Sequence, residues 1–185
     1  MEKNIHKPLN TKILMVGFSC KKLDELIRQR IPVREDKTVW VFDKKGKKHS
    51  LFDDKIKYPY KIDKDLRVFI WTQDRRYEIM IHEGYRWNGA DIPALLWAII
   101  GSKDDIRFKV GSLVHDFMLE YKEYCYKCCF SSEMSVTQYR KMTSDILRFC
   151  IEKNGTSKLK SLVMRNAVEF WQMTFERKKW KELEN

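Results

Sequence analysis

Apolar positions recur with a period of two along the first half of the chain and with a period near 3.6 after Pro93, so strands are predicted first and helices second. The clearest strand pattern is Leu66 to Thr72 (LRVFIWT) and Arg76 to His82 (RYEIMIH) around Gln73-Asp74-Arg75. It puts Val68, Ile70, Tyr77, Ile79 and Ile81 at alternating positions and predicts a hairpin. Upstream, Lys12 to Phe18 reads as a short strand, and Cys20 to Arg30 as a short helix with Leu23, Leu26 and Ile27 on one face, ended by Ile31-Pro32. Thr38 to Phe42 and Lys48 to Phe52, joined by the turn Asp43-Lys44-Lys45-Gly46, form a second expected hairpin. The stretch Asp53 to Asp65, rich in Lys, Asp and Tyr, is the best position for an internal boundary.

Past Pro93, a short helix is expected through Ile100, then one opened by Ser102 with Asp104 and Asp105 in its first turn. Its apolar stripe is Ile106, Val110, Val114, Phe117, Met118 and Tyr121, with His115 at the edge and Asp116 further round. Ser135 to Lys153 gives a helix with Tyr139, Met142, Ile146, Phe149 and Cys150 facing the core. Asp145 falls within that face, where a carboxylate needs a cation or donors from His115, Arg140 or Arg165. Asn154-Gly155 stops the helix, and Leu159 to Trp180 reads as one long final helix with Val163, Ala167, Phe170, Trp171, Thr174 and Phe175 facing inward. The expected fold is α+β. It is one domain over residues 1–185, with a β-rich basic part (1–87) packed on a C-terminal bundle of about three helices (88–185).

Composition agrees with a globular chain: 43% of the residues are hydrophobic and 13% aromatic. No apolar run approaches the eighteen or so residues of a membrane span and MEKNIHKPLN has no signal-peptide core, so the expected location is the cytoplasm, with no membrane partner. Five cysteines in such a chain read as reduced thiols. Cys125-x-x-Cys128-Cys129 is their one cluster, and a zinc site there would need Cys20 or Cys150 to supply a further ligand. The net charge of +11 is uneven: Met1 to Arg76 holds 20 Lys and Arg against 11 Asp and Glu, whereas the remainder holds 17 against 15. A field of that sign attracts polyanions and acidic protein surfaces. The expected contact residues are Lys44, Lys45, Lys47, Lys48, Arg75 and Arg76, and the expected partner is an acidic protein surface or an RNA or nucleoprotein complex. Trp40, Trp71 and Trp87 could stack on nucleotides, although at strand positions such residues usually belong to the core.

The candidate chemistry lies in Tyr85 to Tyr121 and the helices after it. The chain reads Asn88-Gly89-Ala90-Asp91-Ile92-Pro93, then His115-Asp116-Phe117-Met118-Leu119, then Arg140 and Asp145, then Arg165-Asn166-Ala167-Val168. Over roughly the C-terminal half this resembles a phage and prophage family, domain of unknown function 1353. Its pattern is D-G-A-S-I-P, H-D-x-x-Y, and an Arg and Asp on a following helix. Asn88 stands where the family has Asp, Asp91 where it has Ser, and Leu119 where it has the Tyr of the dyad motif. The resemblance marks Asn88, Gly89, Asp91, Pro93, Arg140 and Asn166 as signature positions.

Two functions follow. In the first the protein is a small phage-derived accessory protein that binds through its basic surface without a cofactor, and the phage context fits an inhibitor of a host defence complex such as a CRISPR effector. In the second it is a hydrolase with His115 as base and Asp116, Asp91 or Asp145 orienting the imidazole or holding a divalent metal. His6, His49 and His82 have no metal-ligand spacing to His115, and Ser-His-Asp elbows, phosphate loops and dinucleotide fingerprints are absent from the sequence. The non-catalytic role for the same residues is a His115–Asp145 pair locking the three C-terminal helices, with Asn88-Gly89 as a turn against them.

Overall fold

Alternation of side chains across a pleated sheet is what organises the first half of the molecule. The computed structural model describes residues 10–19, 27–28, 40–42, 48–50, 60–89, 106–131 and 134–184. The strands are β1 (Ile13–Phe18), β2 (Ile27–Arg28), β3 (Trp40–Phe42), β4 (Lys48–Ser50), β5 (Tyr60–Ile62), β6 (Leu66–Thr72), β7 (Arg76–Ile81) and β8 (Arg86–Trp87). They form three antiparallel sheets, ordered β1-β6-β7, β2-β5-β8 and β3-β4.

The expected hairpin is β6–β7, with Leu66 opposite Ile81, Val68 opposite Ile79 and Ile70 opposite Tyr77, all buried on one face. Thr72 closes its turn by donating to the Arg75 carbonyl and accepting from the Arg75 amide. On the outer face the Arg76 guanidinium lies 4.9 Å from the Phe69 ring and 5.2 Å from Trp71. Here β1 passes so close that a Cβ on Gly17 would meet the Trp71 ring at 3.0 Å.

The β1 strand and the β3–β4 hairpin follow the sequence pattern, with Val41 opposite His49; the turn residues 43–47 lie outside the described residues. Two expectations fail. Ile27–Arg28 is a strand paired with Lys61–Ile62, not part of a helix; the ladder bonds offered by β5 outweigh a weak local helical pattern. The remainder of Cys20 to Arg30 lies outside the described residues. Nor is Asp53 to Asp65 all boundary, because Tyr60 and Ile62 are buried core residues of β5.

The helices are α1 (Ile106–Glu120), α2 (Lys122–Cys125), α3 (Val136–Lys153), α4 (Lys158–Phe175) and α5 (Arg177–Glu184), with one π-helical turn at Tyr126–Phe130. Helix α1 is buried almost all round, Phe108 and Ser112 included, since it lies between the β-rich part and α3. Among the described side chains of its stripe, Tyr121, just past the end of α1, is the one that reaches solvent, 45% exposed against expectation. A shared core joins Val68, Ile70 and Trp87 of the strands to Leu113, Met118, Tyr139 and Ile146 of the helices. Phe130 is wedged between Tyr77 and Tyr139, whose hydroxyl donates to the Met118 carbonyl over 2.9 Å.

Ser135 caps α3 through a reciprocal box with Gln138, and Gly155, at φ 88°, lets the chain turn out of the helix after Asn154. The expected single last helix is two, broken at Glu176 (φ −108°, ψ 9°). Its rotation also differs from expectation, although Val163 still packs against the buried Phe108, Leu147, Ile151 and Met164 and Ala167 is half-buried. Ser161, Met164, Glu169 and Gln172 face in, while Phe170, Trp171 and Phe175 face out. The segments 90–105, with the expected Pro93 and Ser102 helix starts, lie outside the described residues.

Gly111 sets the distance between α1 and α3. A Cβ there would lie 3.0 Å from Ile151 Cγ2 and 3.1 Å from both Leu147 Cδ1 and the Leu147 carbonyl oxygen, which as backbone cannot step aside. Gly111→Val therefore overpacks the crossing and should cost about 1–3 kcal/mol or more in urea unfolding. Unfolding at the wild-type midpoint would mean that the two helices separate without loss.

Candidate functional site

His115 sits on the buried side of α1, one turn after Gly111, and is 6% exposed. Its Nδ1 lies 3.1 Å from Asp116 Oδ1, and its Nε2 lies 3.0 Å from Nε2 of Gln172 on α4. With the Gln172 amide nitrogen donating to Nε2, the ring proton is on Nδ1 and is donated to Asp116. Asp116 thus orients the imidazole, as a base-orienting carboxylate does. The lone pair that a general base must present to substrate is, however, occupied by a protein amide in a buried position.

Between α3 and α4, Ser161 donates to Glu152, and two ion pairs are formed. Glu169 of α4, 7% exposed, accepts from Arg140 Nε (3.2 Å) and Ser144 Oγ (3.2 Å) of α3, with Arg140 Nη2 at 3.0 Å. Asp145 accepts from Arg165 Nε over 2.8 Å, its side chain 37% exposed. The expected His115–Asp145 pair is therefore replaced by three others: His115 with Asp116 and Gln172, Asp145 with Arg165, and Arg140 with Glu169. Of the proposed catalytic set, the fold brings His115 and Asp116 together and assigns Asp145 to a partly exposed ion pair. Glu169 and Gln172 were not foreseen. The available signal is that Ser161, Glu169 and Gln172 share one face of α4, opposite to its large apolar residues.

The other signature positions divide as follows. Asn88 is half-buried and Gly89 is buried with φ 84°, a left-handed turn that favours glycine. Asn166 is exposed and accepts from Arg165 Nη1 at 3.2 Å. Asp91 and Pro93 lie outside the described residues, as do Lys44, Lys45 and Lys47; Lys48 is described only as backbone of β4. Arg75 and Arg76 are exposed beside the β6–β7 turn.

Cys125 and Cys150 are buried and Cys129 half-buried; burial pushes the Cys150 thiol up to about 12, leaving it protonated at neutral pH. Among the described residues no three His, Cys, Asp or Glu side chains converge to hold a metal ion. Trp87 is a core residue: its indole Nε1 donates to Ser112 Oγ over 3.2 Å, tying β8 to α1.

His115→Ala removes a partner from the buried Gln172 amide and should cost about 1–3 kcal/mol of stability. Combined with Gln172→Ala in a urea double-mutant cycle, it should show a coupling of at least about 0.5 kcal/mol. Strict additivity would mean that the contact contributes nothing. Glu169→Ala leaves the mostly buried Arg140 unpaired and should cost about 3–5 kcal/mol, more than Asp145→Ala, whose pair is half-open to water. Equal losses for the two variants would overturn that ranking.

No curated protein and no solved structure matches the chain. The family described as "Protein of unknown function (DUF1353)" matches residues 62–168, from the end of β5 into α4. That stretch is more than half of the chain and takes in the β6–β7 hairpin, the His115-Asp116 dyad, Arg140 and Asp145. The chain belongs to this phage and prophage family of unknown function.

Proposed function

We propose that the protein acts by binding another protein, with the outward face of α4 as its principal contact. The observation that carries this reading is the exposure of Leu159 (72%), Leu162 (38%), Phe170 (65%), Trp171 (50%), Met173 (51%) and Phe175 (62%). Six large side chains open to water on one helix form a patch of the kind that marks interaction surfaces. From Lys158 to Lys181 the chain carries seven Lys and Arg against two Glu, and one of those, Glu169, is buried on Arg140. Two copies meeting through this face would bring basic ends together in either orientation. An apolar groove rimmed by carboxylates fits both the patch and its flanks.

The basic N-terminal part, with Lys44, Lys45, Lys47 and Lys48, adds long-range attraction for such a partner. A phage protein of this size and charge suits an inhibitor of a host defence assembly, a CRISPR effector being one example. The hydrolase reading has less support, because the Nε2 of His115 is covered by Gln172.

The test is co-purification from host cells of wild type, Phe170→Asp and the quadruple Lys44, Lys45, Lys47 and Lys48 to Ala variant. Phe170→Asp should fold as wild type yet lose the partner at least tenfold. The quadruple variant should slow association, and salt dependence should be shallower than for phosphate contacts. Retention of the same partner by Phe170→Asp, or appearance of a homodimer that this variant dissolves, would remove the proposal.

A further inference from the structure

A second feature lies on another part of the molecule, where the β7–β8 turn meets the C-terminal end of α1. A cleft of about 600 Å³ opens there, lined by Met80, His82 and Glu83 and by the rings of Tyr85, Phe117, Tyr121 and Tyr124. Tyr85 and Phe117 are buried and form the floor; Tyr121 and Tyr124, 45% and 65% exposed, form the mouth. The rings present faces in different directions: Tyr85 and Phe117 meet at 87° with centroids 5.1 Å apart, and Tyr85 and Tyr121 at 61° and 6.0 Å.

Besides the tyrosines, the ionisable groups lining the cleft are Glu83 and His82, the latter with its Nδ1 3.6 Å from Asp65 Oδ1, in a chain whose net charge is +11. Glu83 lines the cleft, and Glu120 Oε2 accepts from the Tyr85 hydroxyl at 3.2 Å. Burial raises the Tyr85 phenol far above its ordinary value, and the carboxylates of Asp116 and Glu120 raise it further. Arg86 and Lys122, next to Tyr85 and Tyr121 in sequence, do not line the cleft, and Lys122 has its Nζ 5.7 Å from the Trp180 ring.

We propose that this cleft binds an organic cation of the alkylammonium class. Aromatic faces attract such a cation through their quadrupoles, and Glu83 and Glu120 supply the opposite charge. An anion would meet the Glu83 carboxylate, with Glu120 bonded to the Tyr85 hydroxyl beyond the lining, and a neutral apolar ligand would take water from Glu83 without replacing its interaction. The volume is within the usual range for a small-molecule site, and the open mouth equally admits the end of a methylated lysine side chain.

The experiment is calorimetric titration of the full chain with choline, with its neutral isostere 3,3-dimethylbutan-1-ol, and with the methylamide of acetylated trimethyl-lysine. Choline should bind at least about tenfold tighter than the isostere, a difference of about 1.4 kcal/mol. Tyr121→Leu should weaken choline about three- to fivefold while leaving the fold intact, and Glu83→Gln should weaken it and flatten its salt dependence. Tighter binding of the lysine analogue than of choline assigns the cation to a partner's side chain; equal binding assigns it to a free small molecule. Isostere binding as tight as choline's, or no choline binding by a folded protein at tens of millimolar, overturns the proposal. Neither result bears on the α4 face.

Discussion

The requirement that a buried polar group have a partner fixes how the C-terminal helices sit together. Helix α4 has two usable faces, one with Leu159, Leu162 and Phe170 and one with Ser161, Glu169 and Gln172. Hydrophobicity alone would bury the first. The polar face wins because α1 and α3 already present His115, Arg140, Ser144 and Glu152, each reaching a group on α4. Turning the helix over would strand a carboxylate, a guanidinium and an amide without partners, at about 1–3 kcal/mol for each neutral group and more for each charge. Transfer of the apolar residues, worth about 1.5–3 kcal/mol each when fully buried, is left for another surface to supply.

This explains where the sequence was legible and where it was not. A hairpin such as β6–β7 has one apolar face and one polar face, and an error of one residue would invert every side chain, so its pattern admits a single answer. Capping is equally local: Ser135 with Gln138, and Gly155 at a left-handed position, are set by neighbours a few residues away. The direction of α4 and the pairing of Ile27–Arg28 depend on groups far along the chain. Asp145 was seen correctly to need a cation, and Arg165 is one of the three partners foreseen, but periodicity cannot choose among candidates on different helices.

The same constraint bears on the dyad. His115 and Asp116 are adjacent on a helix, so they point in directions about 100° apart and pair only by bending toward each other at the edge of the buried face. Such a pair is chemically versatile while the second ring nitrogen stays open. Gln172, just beyond the stretch shared with the family, closes it. The dyad is thus tied to α4 by a residue 57 positions away, a contact that no one-dimensional motif shows.

Charge separation completes the picture. The Lys and Arg excess lies in residues 1–76 and again along α4 and α5, whereas Glu83, Asp116, Glu120 and Glu123 gather near the end of α1. The two regions meet where Lys122, between Glu120 and Glu123 in sequence, places its Nζ 5.7 Å from the Trp180 ring of α5. The proposed α4 contact and the proposed cation cleft differ in the charge they present, and the tie between Trp87 and Ser112 joins the cleft side to the helical side.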